Sequence, residues 1–259
     1  MIDRRDFLRA GLAAGAVPVI NGCLSVAQGS KKVSTKSQPN ILFLLTDDQR
    51  YDDLGYMGNK FIQTPHLNKL AADGVIFDNA FVTTAICCSS RASILTGQHM
   101  RRHRIYDFAT PLSAEAMDHT YPVLLRKSGY RTGFLGKMAI GKSSGNMRHL
   151  SLPADKFDFW FGFPQSINFL QIIDGKKRFL TTLLAEKAIE FLRTNPVGKP
   201  FCLLISFKTP HGPWNFFDPH APNPYENAKI PPPPPAIPEK TTNPNLNSCE
   251  SRSMVVVRG

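Results

Sequence analysis

The chain has 259 residues, and 42% of them are hydrophobic, which excludes an intrinsically disordered protein and suffices for a sizeable core. Lys and Arg total 31 against 20 Asp and Glu, a balance that suits an anionic partner. No paired zinc ligands and no aromatic RNA-binding run accompany this charge, so we expect no nucleic-acid partner.

Residues 1–30 have the pattern of a twin-arginine export signal followed by a linker. Arg4 and Arg5 precede an apolar stretch that is too short to span a bilayer comfortably. Cys23 lies where the lipid-bearing cysteine of a lipoprotein lies, but Asn21 departs from the usual sequence, so a lipid anchor at Cys23 stays open. We expect a periplasmic or exported protein that uses the twin-arginine machinery. The alternative is an amphipathic N-terminal helix.

The first predicted strand delivers two carboxylates to one edge of a sheet. Residues 41–45 form a continuous apolar run, which is typical of a fully buried strand, and Asp47 and Asp48 follow it. Ligands of open α/β sheets bind at the carboxyl ends of the strands. Two adjacent carboxylates favour a divalent cation such as calcium or magnesium, although an Asp pair can also cap a helix. The nearby Asp52 and Asp53 are not assigned a role.

Helices and strands alternate along the rest of the chain, which predicts an α/β fold. The expected architecture is a mixed, mostly parallel sheet flanked by helices on both faces. Cys87 is expected at a loop-to-helix junction. In chain order, the predicted elements are a helix from Thr64 to Gly74, a strand at 75–81, a helix at 89–95, a helix at 121–128, a strand at 130–135, a helix at 180–192 and a strand at 201–207.

The chain becomes rich in proline from Pro210 onward and includes an unbroken proline run at 231–235. Such a composition is typical of extended, polyproline-like backbone. We expect a surface loop over the active face; the alternative is a ligand for a proline-binding domain.

The segment CCSSRASILTG, residues 87–97, resembles the signature of the sulfatase family. That signature begins with a Cys or Ser. After one variable residue come a position that is usually Pro, then Ser and Arg, and a helix that ends in Thr-Gly. Ser89 stands at the usual proline position. The matching positions are Cys87, Ser90, Arg91, Leu95, Thr96 and Gly97.

Further segments resemble the same family in the same order. They are PNILFLLTDDQR at 39–50, TPHLNKLAADGVIFDNAFV at 64–82, GYRTGFLGK at 129–137, KFDFWFGF at 156–163 and SFKTPHGPW at 206–214. The resemblance implies an alkaline-phosphatase-like fold, with residues 39–259 as an N-terminal catalytic domain. We expect this domain to be incomplete, because the family's later Asp-Asn or Asp-His metal pair, a later lysine and a smaller C-terminal domain are not found in this sequence.

The resemblance also implies a chemistry for sulfate esters. A formylglycine-generating enzyme converts the family's cysteine to formylglycine; one hydroxyl of the hydrated aldehyde attacks sulfur, and the other lets the carbonyl reform and expel sulfate. An ordinary serine has no second hydroxyl on the same carbon and cannot expel sulfate in this way. The resemblance implies that Cys87 is the formylglycine precursor and contacts the metal, and that Asp47 and Asp48 are ligands of Ca²⁺ or alternatively Mg²⁺. It also implies that Arg91 is a catalytic cation and that Lys137 contacts sulfate. His211 would be the leaving-group acid or a hydrogen-bond donor to sulfate.

One departure and two alternative functions stay open. The family commonly has Trp-His after the Gly-Lys pair, where this chain has Met138 and Ala139, so either His103 or another group would have to compensate. The expected substrate is a sulfated small molecule or polysaccharide. The alternatives are a phosphodiesterase or phosphonate hydrolase of the same superfamily, or an inactive truncated remnant.

Overall fold

The computed structural model describes residues 38–141, 152–164, 167–229 and 256–257. The predicted export signal, Cys23 and the proline run at 231–235 lie outside the described residues.

The described elements alternate between strands and helices, as the sequence predicts. The strands are β1 Ile41–Asp47, β2 Val75–Ile76, β3 Arg131–Lys137, β4 Phe159–Phe163, β5 Leu170–Ile173, β6 Lys176–Phe179, β7 Phe201–Pro210 and β8 Val256–Val257. The helices are α1 Pro65–Asp73, α2 Cys87–Thr96, α3 Met100–His103, α4 Ala114–Asp118, α5 Tyr121–Lys127 and α6 Leu180–Arg193, and short 3₁₀ turns lie at Tyr51–Asp53, Gly55–Met57 and Ala154–Lys156.

The main sheet has the strand order β1-β7-β3-β4. Its neighbouring strands all pair in parallel. Two small antiparallel pairs, β2 with β8 and β5 with β6, complete the described strands. The α/β prediction is confirmed. Because the main strands are parallel, their carboxyl ends share one edge, and Asp47, Lys137 and the end of β7 meet there.

Packing on both faces of the sheet follows from the alternation of side chains along each strand. Phe134 and Leu204 belong to a core cluster with α2, whereas Leu135 and Leu203 belong to a second cluster with α6. Helices therefore cover both faces. The strands β3 and β7 lie between two neighbours in this sheet, which explains why their sequences are apolar almost throughout.

Two local expectations are wrong. The first strand is not fully buried: β1 forms an edge of the described sheet, and its alternate residues Leu42 and Leu44 are 50% and 46% exposed. The strand expected at 75–81 is reduced to Val75–Ile76. That segment lies apart from the main sheet and pairs only with β8 in the described chain. The pairing of these two strands ends at Ile76, so the residues that follow are not part of β2.

Helix ends follow the local sequence signals. Pro65 opens α1, where its missing N–H costs no hydrogen bond, and Gly74 ends it. Gly97 ends α2 in the left-handed conformation with φ 66°. Among the helices that the structure describes, none combines the length and apolarity that crossing a membrane would require.

Candidate active site

Cys87 is the first residue of α2, at the edge of the sheet where the strands end. Its predecessor Ile86 has extended backbone, and the carbonyl of Ile86 accepts the first helical hydrogen bond, from Ser90 N–H at 2.8 Å. The expected loop-to-helix junction is confirmed. The Cys87 Sγ, a carboxylate oxygen of Asp47 and a ring nitrogen of His211 lie within 4.8 Å of one another. Three elements, α2, β1 and β7, therefore bring predicted site residues to one point.

Asp47 is a buried carboxylate held between two buried cations. Lys137 Nζ donates to Asp47 Oδ2 at 2.6 Å, and Arg91 Nη2 lies 3.2 Å from Asp47 Oδ1. Burial would raise the pKa of Asp47, but the charges of Arg91 and Lys137 outweigh that effect and hold the pKa below its ordinary value. Asp47 is therefore ionised at neutral pH and neutralises part of the positive charge at the site.

Arg91 also ties α2 to the two central strands. Its Nη1 donates to the backbone oxygen of Lys137 at 3.0 Å and to the hydroxyl of Ser206, which itself donates to the same oxygen at 2.7 Å. The Arg91 Nε is buried and has no hydrogen-bond partner within the described part of the chain. The i, i+4 spacing from Cys87 correctly predicts that Arg91 reaches the site.

His211 follows directly after β7. Its Nδ1 lies 2.8 Å from the backbone oxygen of Gly212, and since a carbonyl can only accept, Nδ1 carries a hydrogen. The charge of His211 is one of the influences that lower the pKa of Asp47. A lone histidine beside prolines is commonly a surface residue, and only the resemblance to a family distinguished this one.

Asp48 lies in the same cavity but outside the tight cluster. It is exposed and adopts the left-handed conformation with φ 63°, which turns the chain sharply after β1. The cavity has a volume of about 320 Å³. Its lining combines the polar residues Asp47, Asp48, Cys87, Ser90, Arg91 and His211 with apolar residues that include Leu44, Leu54, Leu67, Val82 and Ile86.

The thiol of Cys87 is poorly suited to act as it stands. Burial raises its pKa, and the nearby carboxylate of Asp47 adds to that rise, which the charges of Lys137 and Arg91 only partly oppose. Cysteines that attack as thiolates have a lowered pKa. The unmodified thiol is therefore protonated at neutral pH and a weak nucleophile.

Lys208 is a charged group at this edge that the sequence analysis missed. It is buried near the end of β7, where Nζ donates to the backbone oxygen of Ile167 at 2.6 Å and lies 4.0 Å from the centre of the Phe169 ring. Burial lowers its pKa, and the charge of Lys137 adds to this effect. The available signal was a lysine within an apolar strand, three residues before His211.

His103 does not lie in this site. Its Nε2 hydrogen-bonds with Ser93 Oγ at 3.0 Å, and its Nδ1 accepts from Ile105 N–H at 3.1 Å, so both ring nitrogens are committed at the far end of α2. The suggestion that His103 replaces the histidine absent after Lys137 is wrong. Met138 and Ala139, which occupy that stretch, are buried in the core.

The donor atoms fit part of a divalent-cation site. Asp47 and Asp48 both line the cavity that Cys87 also lines, and hard cations prefer carboxylate oxygen ligands. A cation there would share Asp47 with Arg91 and Lys137, which contact both of its oxygens. The described residues would therefore supply only some of the six to eight oxygens that calcium takes.

Comparison with known proteins identifies the family. The Sulfatase family model matches residues 39–233. An N-acetylglucosamine-6-O-sulfatase of Bacteroides thetaiotaomicron is 30% identical over 210 residues, a match that covers 76% of this chain and 35% of that protein. The chain thus spans about a third of that relative's length.

Solved structures share the fold. The structure of BT4656 in complex with its substrate D-glucosamine-2-N,6-O-disulfate has a TM-score of 0.55 and 31% identity, and the match covers 67% of this chain and 35% of that one. The phosphonate monoester hydrolase of Agrobacterium radiobacter has a TM-score of 0.54 and 24% identity, covering 68% and 42%, and shows a shared fold alone. Since the family model matches most of its length, the chain belongs to the sulfatase family.

Proposed function

We propose that this chain is the catalytic part of a sulfuric ester hydrolase whose nucleophile is a formylglycine made from Cys87. The observation that carries the proposal is the convergence of Cys87, Asp47 and His211 within 4.8 Å, beside the buried cations Arg91 and Lys137. The protonated state of the plain thiol supports the conversion. Formylglycine would supply a hydrated aldehyde, with one hydroxyl to attack sulfur and another to allow release of sulfate.

The residues of the chain then have separable tasks. Arg91 and Lys137 lie beside the nucleophile and would attract and orient the non-bridging oxygens of a sulfate ester. The N-terminus of α2, at residue 87, adds partial positive charge for the same anion. His211 lies close enough to donate a hydrogen bond to sulfate or a proton to the leaving alcohol.

A divalent cation is proposed as cofactor, with calcium first and magnesium as the alternative. Asp47, Asp48 and the side chain of residue 87 would hold it. When bound, such a cation lowers the pKa of the attacking hydroxyl and polarises a sulfate oxygen.

The proposed substrate is a sulfated carbohydrate, and a 6-sulfated N-acetylglucosamine is the first to test. This choice rests on the name of the relative from Bacteroides thetaiotaomicron. The phosphonate hydrolase supports only the fold, so we expect an aryl sulfate to be turned over faster than an aryl phosphodiester. Faster turnover of the phosphodiester would contradict the proposal.

We propose that the maturation partners are a formylglycine-generating enzyme and the twin-arginine export machinery. The protein would be delivered to the periplasm or outside the cell, and a lipid anchor at Cys23 stays open. Export of folded protein requires that Cys87 be converted in the cytoplasm before folding. Unmodified Cys87 in protein recovered from the exported fraction would contradict this order of events.

The direct test joins mass spectrometry with activity. Peptides across residue 87 should show the mass loss of thiol-to-aldehyde conversion, and the converted protein should release sulfate from 6-sulfated N-acetylglucosamine. Cys87→Ala should lose the activity. The neighbouring Cys88 is buried in the core, and the Cys88→Ala variant should still be converted at residue 87. A protein that keeps the thiol and still cleaves sulfate esters at full rate would overturn the mechanism.

A further inference from the structure

The segment that follows His211, which lines the cavity, presents aromatic side chains to solvent. Trp214 is 82% exposed and Phe217 is 69% exposed. Large aromatic surfaces left in water commonly mark contact sites, because their burial stabilises a complex strongly.

Trp214 is held in place although it is exposed. Its Nε1 donates to the backbone oxygen of Pro210 at 2.8 Å, and the indole lies so close to Gly212 that a Cβ there would meet ring atoms at 3.5 Å. Indole has no other hydrogen-bond donor. What Trp214 still offers to a ligand is therefore its apolar ring surface, and little conformational freedom remains to be lost on binding.

The rest of the segment is anchored to neighbouring elements. Phe216 packs on Phe169 with ring centroids 6.0 Å apart. Asp218 accepts a hydrogen bond from the Thr182 hydroxyl of α6 and another from His220 N–H at 3.0 Å. Trp214 and Phe216 thus belong to an anchored segment, hereafter the wall, that starts at His211, a residue that lines the cavity.

We propose that Trp214 forms a platform for the pyranose ring of a sulfated sugar whose sulfate is bound in the cavity beside residue 87 and Arg91. The proposal rests on the proposed function. A pyranose has an apolar C–H face that packs on an aromatic ring, and a platform without free hydrogen-bond donors suits that face. The cavity binds the sulfate group, and the platform selects esters that carry a sugar ring beside it.

Continuity with the anion site favours a sugar over another occupant. His211 reaches within 4.8 Å of Cys87 and Asp47, and only Gly212 and Pro213 separate it from Trp214 in the sequence. A ring attached to a sulfate bound at Cys87 would therefore emerge beside this wall.

The test compares Trp214→Ala and Trp214→Phe in the full chain with formylglycine at residue 87. We expect the KM for methyl 6-sulfo-N-acetylglucosaminide to rise about tenfold in Trp214→Ala, the size of one aromatic packing interaction, and less in Trp214→Phe, with kcat within about twofold. The Ki of inorganic sulfate as competitor should stay unchanged, because sulfate alone does not reach the platform. Ile172→Ala, a change at a 74% exposed residue of β5, is the matched control and should change neither value.

Binding provides a readout that does not need turnover. The protein has two tryptophans, and the other one, Trp160, is stacked on Phe134 with ring centroids 4.9 Å apart. If adding the sugar changes the tryptophan fluorescence of the wild type but not of Trp214→Phe, the change reports binding at the platform. An unchanged KM in Trp214→Ala, or an equal rise in KM and sulfate Ki, would overturn the platform. The proposed function would still stand in that case if the wild type hydrolyses the sugar sulfate. A Trp214-dependent fluorescence change without sulfate release would uphold the platform and overturn the proposed function.

Discussion

At the scale of single residues, the charge balance around Asp47 organises the site. Arg91 and Lys137 are both buried, and each contacts one oxygen of that carboxylate. Buried charges are tolerated only when they are paired. Asp47 therefore keeps two cations in place that would otherwise repel each other.

Removing the negative charge of Asp47 should destabilise the fold more than removing the positive charge of Lys137. We expect Asp47→Asn to lower the free energy of unfolding by about 3 kcal/mol, because it leaves two buried cations without a carboxylate. Lys137→Met should cost less, since Asp47 keeps Arg91. Urea denaturation checks the order, with the exposed Asp48→Asn as control; an equal or reversed order would contradict this account of the charges.

His103 should make the fold sensitive to mild acid. Burial lowers its pKa below the ordinary value of 6.5. Protonation of Nδ1 would also break its hydrogen bond from Ile105 N–H. The unfolded chain therefore takes up this proton first, so stability falls as pH drops from about 6.5 towards the folded pKa. Melting temperatures between pH 8 and pH 5 should fall less in His103→Gln than in the wild type, whereas the exposed His119→Gln should match the wild type.

At the scale of elements, the Gly-Lys pair at the end of β3 shows why a glycine precedes the lysine that contacts Asp47. Gly136 has φ 97°, and any Cβ there would overlap the backbone carbonyl of Ser206 on β7. A close approach of β3 to β7 at this point places the backbone oxygen of Lys137 within reach of both Arg91 and Ser206. The glycine is needed for strand spacing as well as for its conformation.

Gly136→Ala should therefore cost clearly more stability than the same change elsewhere. Gly175 also has a positive φ, 72°, but a Cβ there would meet nothing within 4 Å. Gly175→Ala should cost about 1 kcal/mol, the strain of the left-handed conformation alone. Gly136→Ala should exceed that by at least about 2 kcal/mol and should also reduce sulfate release; equal losses in thermal unfolding would refute the clash.

At the scale of the whole molecule, one sheet serves two cores. The cluster with α2 supports Cys87 and Arg91 from one face, and the cluster with α6 supports β7 from the other. Because both clusters share β3 and β7, a defect in either is transmitted to the carboxyl-end edge where the site lies.

Phe134→Ala tests this coupling. Phe134 is buried and packs on Trp160 and Phe157 with ring centroids 4.9 and 5.6 Å apart. Its truncation should lower the free energy of unfolding by about 3–5 kcal/mol while the protein still unfolds in one transition. Leu192→Ala, a change at a 42% exposed residue of α6, should stay within about 0.5 kcal/mol. Two separate transitions in Phe134→Ala would show that the clusters are independent.

The order of residues along the chain was enough to predict the alternating elements, the loop-to-helix junction at Cys87 and the polar residues Asp47, Lys137 and His211 that follow strands. Periodicity and helix-end signals act over a few residues, so they are readable without a three-dimensional structure. The roles of Lys137 and His211 needed the resemblance to a family, because an isolated lysine or histidine has no local signature.

Tertiary structure alone decided which side chains meet and which strands lie at an edge. Strand order decides the pairing of Asp47 with two cations, the burial of Lys208 and the exposure of Leu42 and Leu44. Strand order arises from contacts between residues that are far apart in the sequence, and no local pattern encodes it.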